Sequence, residues 1–177
     1  MKDNSVSIAK GIAIILMVLA HTRFSEYGNY WINMFHMPLF FFFAGYCFKD
    51  KYLEIPSDFV IKRIKGLYKP FVKWSLIFLV LHNLFFYLNI YNGEFGFRGI
   101  VSHLYTWQET FKKAVFIVTK MSDTEQLLGG YWFLKSLFWG SLIAFFIIRN
   151  VKNVKWGGER CYVLLFLHQY FIFIYPI

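Results

Sequence analysis

Lys10–Thr22 reads KGIAIILMVLAHT, and after a short polar break Phe35–Tyr46 reads FHMPLFFFFAGY. The first stretch is an apolar run with Lys10 at its start and His21 at its end. The two are eleven residues apart, so at about 100° per residue they lie within about 20° of one helical face. Along that face they are separated by roughly 16 Å, three turns. An ammonium and an imidazole thus share one stripe of a membrane-depth helix, where ionisable groups are costly and mark function by default. The second stretch has Pro38 and four consecutive Phe, then Ala44–Gly45, a small-residue notch suited to close helix contact.

Outward from this pair the chain keeps the same character. Of its 177 residues 58% are hydrophobic and 23% aromatic, above the ~45–50% apolar content of a soluble domain, and they fall in long runs. The composition predicts an all-α integral membrane protein, a single bundle of about five transmembrane helices. The net charge of +9 sits in the gaps between apolar runs. That pattern orients spans and attracts anionic lipid, so membrane lipid is the expected partner of the charge, and nucleic acid is not.

The expected spans are Val6–Thr22, Trp31–Phe48, Pro70–Tyr91, Tyr131–Ile148 and Cys161–Ile177. Lys49–Lys69 is expected as a basic loop containing a short helix from Asp58 to Tyr68, capped by Ser57 or Asp58. Phe111–Met121 is too short to cross and has the pattern of an amphipathic interfacial helix. Counting Lys and Arg places the N-terminus and the 49–69 and 149–160 segments in the cytoplasm, with 23–30 and 92–130 outside. The first helix has no A-x-A cleavage site after it and is expected to stay as a signal anchor.

Candidate site residues follow from chemistry. Neutral imidazole near pH 7 accepts a proton from a hydroxyl and hands it on, which suits His21 to general-base work in acyl transfer. The competing reading is a helix-end histidine bonded to a headgroup or a loop carbonyl. Lys10, Arg63 and Lys65 suggest cytoplasmic anion binding, against the plainer reading of positive-inside charge. His36 reads first as a packing or interface residue. His82 and His168 lie within apolar runs without an acidic partner at helical spacing, and His103 is uninformative. No metal site is expected, because the five histidines are scattered. Cys47 and Cys161 read as packing residues. A transporter would place acidic and basic pairs inside the spans, and none holds an Asp or Glu.

These motifs resemble the membrane-bound acyltransferase family 3, which includes sugar O-acetyltransferases such as fucose 4-O-acetylase-like proteins. The family shows a basic residue, ten residues and a histidine in its first span, matched by Lys10 and His21, and FHMPLFFFFAGY is close to its next signature. KRIKGLYKP (Lys62–Pro70) is similar to an Arg-x-x-Arg stretch running into a proline, with Arg63 in the first position, Gly66 in the second and Lys65 beside it. GGYWFLKSL (Gly129–Leu137) and GGERCYVLLFLH (Gly157–His168) resemble later spans.

The resemblance implies one membrane-embedded domain over 1–177, shortened by several central spans between Phe146 and Val154, in a bacterial inner (cytoplasmic) membrane with the N-terminus cytoplasmic. It also implies an O-acyltransferase whose co-substrate is acetyl-CoA, with no bound cofactor and a cell-envelope carbohydrate as acceptor. Acyl-CoA phosphates would lie near Lys10, Arg63 and Lys65, with His21 catalytic and His36 and Trp132 on the pocket or acceptor side. A homo-oligomer is one way to complete a pocket that five spans leave open. An inactive remnant of the family is the competing reading.

Overall fold

The computed structural model describes residues 4–22, 25–91, 101, 103–122 and 125–150, excluding the side chains of 20, 21, 26, 29 and 33–37 within the helices. Among the described residues regular structure is entirely helical. The order is α1 (Ser5–His21), α2 (Glu26–Tyr46), α3 (Lys51–Glu54), α4 (Pro56–Arg63), a π turn (Ile64–Tyr68), α5 (Lys69–Tyr87), α6 (Trp107–Lys120), a 3₁₀ turn (Gln126–Leu128) and α7 (Tyr131–Asn150). The chain divides into two units, Met1–Pro56 with Trp139–Ile177, and Ser57–Phe138.

In the first unit α1 and α2 form an antiparallel hairpin. Lys10 near the start of α1 reaches Cys47, one residue past the end of α2. Ser25 caps α2, its hydroxyl accepting from the Gly28 N–H at 3.3 Å. A hydroxyl at this position satisfies one of the orphan donors of a first turn. The helix therefore starts at Glu26, five residues before the expected Trp31. Ala13, Phe41 and Phe43 are buried, and so is Gly45 of the notch. Small residues at such a seam let two backbones approach closely. The later part of α7 buries Ala144, Phe145 and Ile148, with Phe145 against Phe48 at 6.3 Å between ring centres.

In the second unit α4, the π turn and α5 run on as one helix, Pro56–Tyr87, of 32 residues. The short helix expected from Asp58 to Tyr68 is present, and it runs on through Pro70 as part of one longer helix that begins at Pro56. Lys and Arg are good helix formers, and Pro56 sits at a helix start where its missing N–H costs nothing. Pro70 removes the bond to the Gly66 carbonyl and would crowd it. The π turn through Ile64–Tyr68 absorbs that defect by shifting the hydrogen-bond register one residue. At 1.5 Å per residue the helix is roughly 48 Å long, well over the ~30 Å of a hydrocarbon core.

Pro56–Tyr87 and Tyr131–Asn150 are long and apolar enough to cross a membrane, and α1 is a shorter apolar helix. Cys161–Ile177, the fifth expected span, lies outside the described residues. The expected amphipathic helix is present as α6, beginning at Trp107. A capping box starts it: the Thr106 hydroxyl accepts from the Glu109 N–H, and the Glu109 carboxylate accepts from the Thr106 N–H at 2.9 Å. Met121, at φ 50°, ends it in a left-handed turn.

α6 lies antiparallel along α5, tied at both ends. At one end the Asn83 amide donates to the Tyr105 carbonyl at 3.0 Å and accepts from the Tyr105 N–H at 2.8 Å. At the other the Tyr68 hydroxyl donates to the Val118 carbonyl at 2.6 Å. Phe71, Ser75, Leu79 and His82 form the buried face of α5, at the i, i+4, i+8, i+11 spacing of one helical stripe. Ile117 and Met121 are fully buried in the same unit.

Candidate functional site

α1 carries Lys10 in its second turn and His21 as its last residue. The Lys10 ammonium is half-buried, 3.8 Å from the Cys47 sulfur and 5.8 Å from the centre of the Phe43 ring. A cation over an aromatic face is stabilised by the ring quadrupole, and its stem can lie along apolar surface. The side chains of His21 and His36 lie outside the described residues; His21 is the last residue of α1, and His36 falls inside α2. Cys47, expected as a packing residue, is exposed, because it stands just past the helix end.

Arg63 and Lys65 belong to the second unit. Two residues apart on a helix, they point to opposite sides. The Arg63 guanidinium lies over the Phe59 ring at 4.9 Å. Lys65 instead lines an open groove of about 520 Å³ with Tyr68, Lys69, Pro70, Lys73 and Trp74. Lys65, Lys69 and Lys73 fall four residues apart, so three ammonium groups share one stripe, and Lys73 sits 5.4 Å from the Trp74 ring. Trp132 is half-buried in the first turn of α7, edge-on to Phe133.

The most elaborate polar cluster involves a residue whose role the sequence left open. His82 and Glu125, 43 residues apart, meet with His82 Nδ1 3.0 Å from Glu125 Oε2, and each side chain is 1% exposed. The Tyr91 hydroxyl donates to the same carboxylate oxygen at 2.9 Å and lies 3.1 Å from His82 Nδ1. The Tyr105 ring stacks on the imidazole with centroids 3.4 Å apart and planes 7° from parallel. Asn83, next to His82, holds the backbone of Tyr105 through its two bonds. Among the described residues His82 Nε2 and Glu125 Oε1 are buried without a hydrogen-bond partner. With the proton on Nδ1 facing the carboxylate, Nε2 is left as a lone-pair acceptor, the arrangement by which a carboxylate fixes an imidazole tautomer.

Burial and the Glu125 carboxylate both push the Tyr91 phenol up, so it stays a donor. Tyr105 is pushed up to about 12, by burial first and then by the charge of Glu125. Glu109, which also accepts from His103 Nε2 at 3.3 Å, is held down at about 2, chiefly by the Thr106 N–H. His103 is therefore tied to the cap of α6.

A sequence profile of the acyltransferase domain, acyltransferase 3, matches residues 3–177. The chain belongs to the acyltransferase 3 family. The family is generally membrane-embedded, in keeping with the two helices long and apolar enough to cross a membrane. No curated protein and no solved structure matches the chain. The match spans both units of this acyltransferase 3 chain, so the Lys10–His21 helix and the His82 cluster fall within one family domain. His82 has no acid at helical spacing, so helix periodicity alone does not join it to Glu125, 43 residues away. The available signal was the polar pair His82–Asn83 inside an otherwise apolar run.

Proposed function

We propose that the chain is a membrane O-acyltransferase that moves an acetyl group from acetyl-CoA to a hydroxyl of a cell-envelope carbohydrate. The observation that carries this is the acyltransferase domain match over residues 3–177. The placing of Lys10 and His21 eleven residues apart on one apolar helix supports it. His21 acts as the base. Its neutral imidazole takes the acceptor hydroxyl proton as that oxygen bonds to the thioester carbonyl carbon. The C–S bond then breaks, and the imidazolium returns the proton to the CoA thiolate.

Lys65 binds a CoA phosphate together with Lys69 and Lys73, which line the same groove; Lys10 and Arg63 are the other cations assigned to the donor. His36 and Trp132 belong to the acceptor side. The helices sit in a bacterial inner membrane, as the family resemblance implies, and the distribution of Lys and Arg supports a cytoplasmic N-terminus. α1, α2, α5 and α7 correspond to four of the five proposed spans, and the fifth, Cys161–Ile177, lies outside the described residues.

The test is acetyl transfer by the full chain in membranes, with radiolabelled acetyl-CoA and extracted envelope glycans, comparing wild type with His21→Ala. Incorporation by wild type and its loss in the variant is expected. Equal incorporation by both would remove His21 from the chemistry, and none by either would refute the activity.

A further inference from the structure

We infer that the His82–Glu125 pair is a recognition site for a hydroxyl-bearing ligand of the saccharide class, occupied in this structure by the chain's own Tyr91 hydroxyl. The inference rests on the acyltransferase reading only in identifying that ligand with the acyl acceptor. The pair is assembled from distant segments: His82 and Asn83 from α5, Tyr91 from beyond its end, Tyr105 from just before α6, and Glu125 from just before the 3₁₀ turn. Each side chain has a defined part. Glu125 Oε2 is a charged acceptor already receiving one hydroxyl, from Tyr91 at 2.9 Å. Its second oxygen, Oε1, and His82 Nε2 are buried without partners among the described residues.

Buried acceptors left unfilled are costly, so they mark a place where a donor binds. Hydroxyl groups are the fitting donors. A hydroxyl can donate to the second carboxylate oxygen or to the Nε2 lone pair, as the Tyr91 hydroxyl already donates to Glu125 Oε2. The surroundings suit a sugar, with a carboxylate, an imidazole and an amide next to the tyrosine rings of Tyr91 and Tyr105. Such sites combine a few placed polar groups with apolar and aromatic walls.

Access runs past Tyr91. Asn83 is exposed and Tyr91 and Tyr105 are half-buried, so the pair lies one side chain below the surface. Swinging the Tyr91 ring away uncovers Glu125 Oε2 and frees the seat its hydroxyl holds. Tyr91 is thus an internal competitor, and a ligand hydroxyl replaces one charge-assisted bond with another.

The experiment uses the full chain in lipid nanodiscs, free of sugar detergents. Diethyl pyrocarbonate carbethoxylates neutral imidazole nitrogens, and the rate at His82 is read by peptide mass spectrometry. The probes are the methyl glycosides of glucose, galactose, fucose and rhamnose, with tetraethylene glycol dimethyl ether as a control that lacks hydroxyls. At least one glycoside slows modification of His82, and the ether does not. Tyr91→Phe, which removes the competing hydroxyl, tightens that glycoside about tenfold, the factor given by ~1.4 kcal/mol.

Glu125→Gln abolishes protection, and Glu125→Asp restores part of it; a merely structural carboxylate would show neither change while the thermal midpoint is retained. No protection by any glycoside, or a Tyr91→Phe affinity equal to wild type, overturns the inference. Acetyl transfer separates the two readings. A protected His82 without any transfer leaves this site standing and removes the acyltransferase. Transfer whose KM for glycan is unmoved by Tyr91→Phe and Glu125→Gln removes this site and leaves the enzyme.

Discussion

Replacing Glu125 with Ala tests the buried cluster as a structural fact, before any question of ligand. Glu125 Oε2 accepts two bonds, from His82 Nδ1 at 3.0 Å and from the Tyr91 hydroxyl at 2.9 Å. Hydrogen bonds to a charged group contribute about 1.5–3 kcal/mol each, so the gross loss is about 3–6 kcal/mol. Two features reduce it. Tyr91 is half-buried and finds water, and its hydroxyl, 3.1 Å from His82 Nδ1, still partners the imidazole. The net cost should fall near ~3 kcal/mol, the low end of that range. For a unit of this size each kcal/mol moves the midpoint by about 4–8 °C, so a fall of about 12 °C or more is expected in a thermal-aggregation assay of the solubilised chain. His82→Ala and the double variant complete the cycle, and the double should cost less than the sum of the singles by about 0.5–3 kcal/mol. Hydrogen bonds between helices in lipid average only about 0.6 kcal/mol. A Glu125→Ala cost at that level, or strictly additive singles, would refute the reasoning that these two residues form one buried pair.

Four further outcomes follow from the geometry. On the proposed donor assignment, Lys69→Ala with Lys73→Ala should raise KM for acetyl-CoA severalfold with kcat retained; unchanged steady-state kinetics would exclude the groove. Thr106→Ala should cost about 1 kcal/mol of α6 stability, read as faster amide exchange over Trp107–Thr110. Glu109 is depressed from 4.5 to about 2, so its contribution is present above pH ~4.5 and lost as the pH falls towards ~2. The same amide-exchange profile should show that loss, and Glu109→Gln should flatten it. Tyr105 is raised from 10.0 to about 12, so what it contributes is full below pH ~10 and lost as the pH rises through ~12. An ultraviolet phenolate titration that finds all tyrosines ionising near 10 would contradict its burial against His82.

The sequence made most of the helices legible because one-dimensional periodicity and end signals determine them. Val6–Thr22 was expected and α1 is Ser5–His21; Tyr131–Ile148 was expected and α7 is Tyr131–Asn150. Where the expectation moved, the cause was local chemistry that hydropathy does not register. Ser25 capped α2 early, and the π turn let the helix pass Pro70. The candidate site divides in the same way. Lys10 and His21 were legible as a pair because one helix fixes their phase, whereas Arg63 and Lys65 share a stretch of sequence but not a face.

His82 shows the limit most clearly. No rule based on helical spacing could join it to Glu125, since the partner returns from 43 residues away after a second helix has been laid antiparallel along the first. The fold settles that meeting through bonds whose own signals were weak: Asn83 to Tyr105 at one end of α6, Tyr68 to Val118 at the other. Once α6 is fixed at both ends, the chain leaving Met121 brings Glu125 back to His82. The position of the carboxylate is therefore a consequence of packing. It follows that cutting the Asn83 tie should loosen the pair without touching either member. Asn83→Ala, with both reciprocal bonds to Tyr105 lost, should raise the carbethoxylation rate of His82 severalfold while leaving Tyr91 and Glu125 in place. An unchanged rate would mean that Glu125 holds His82 without help from α6.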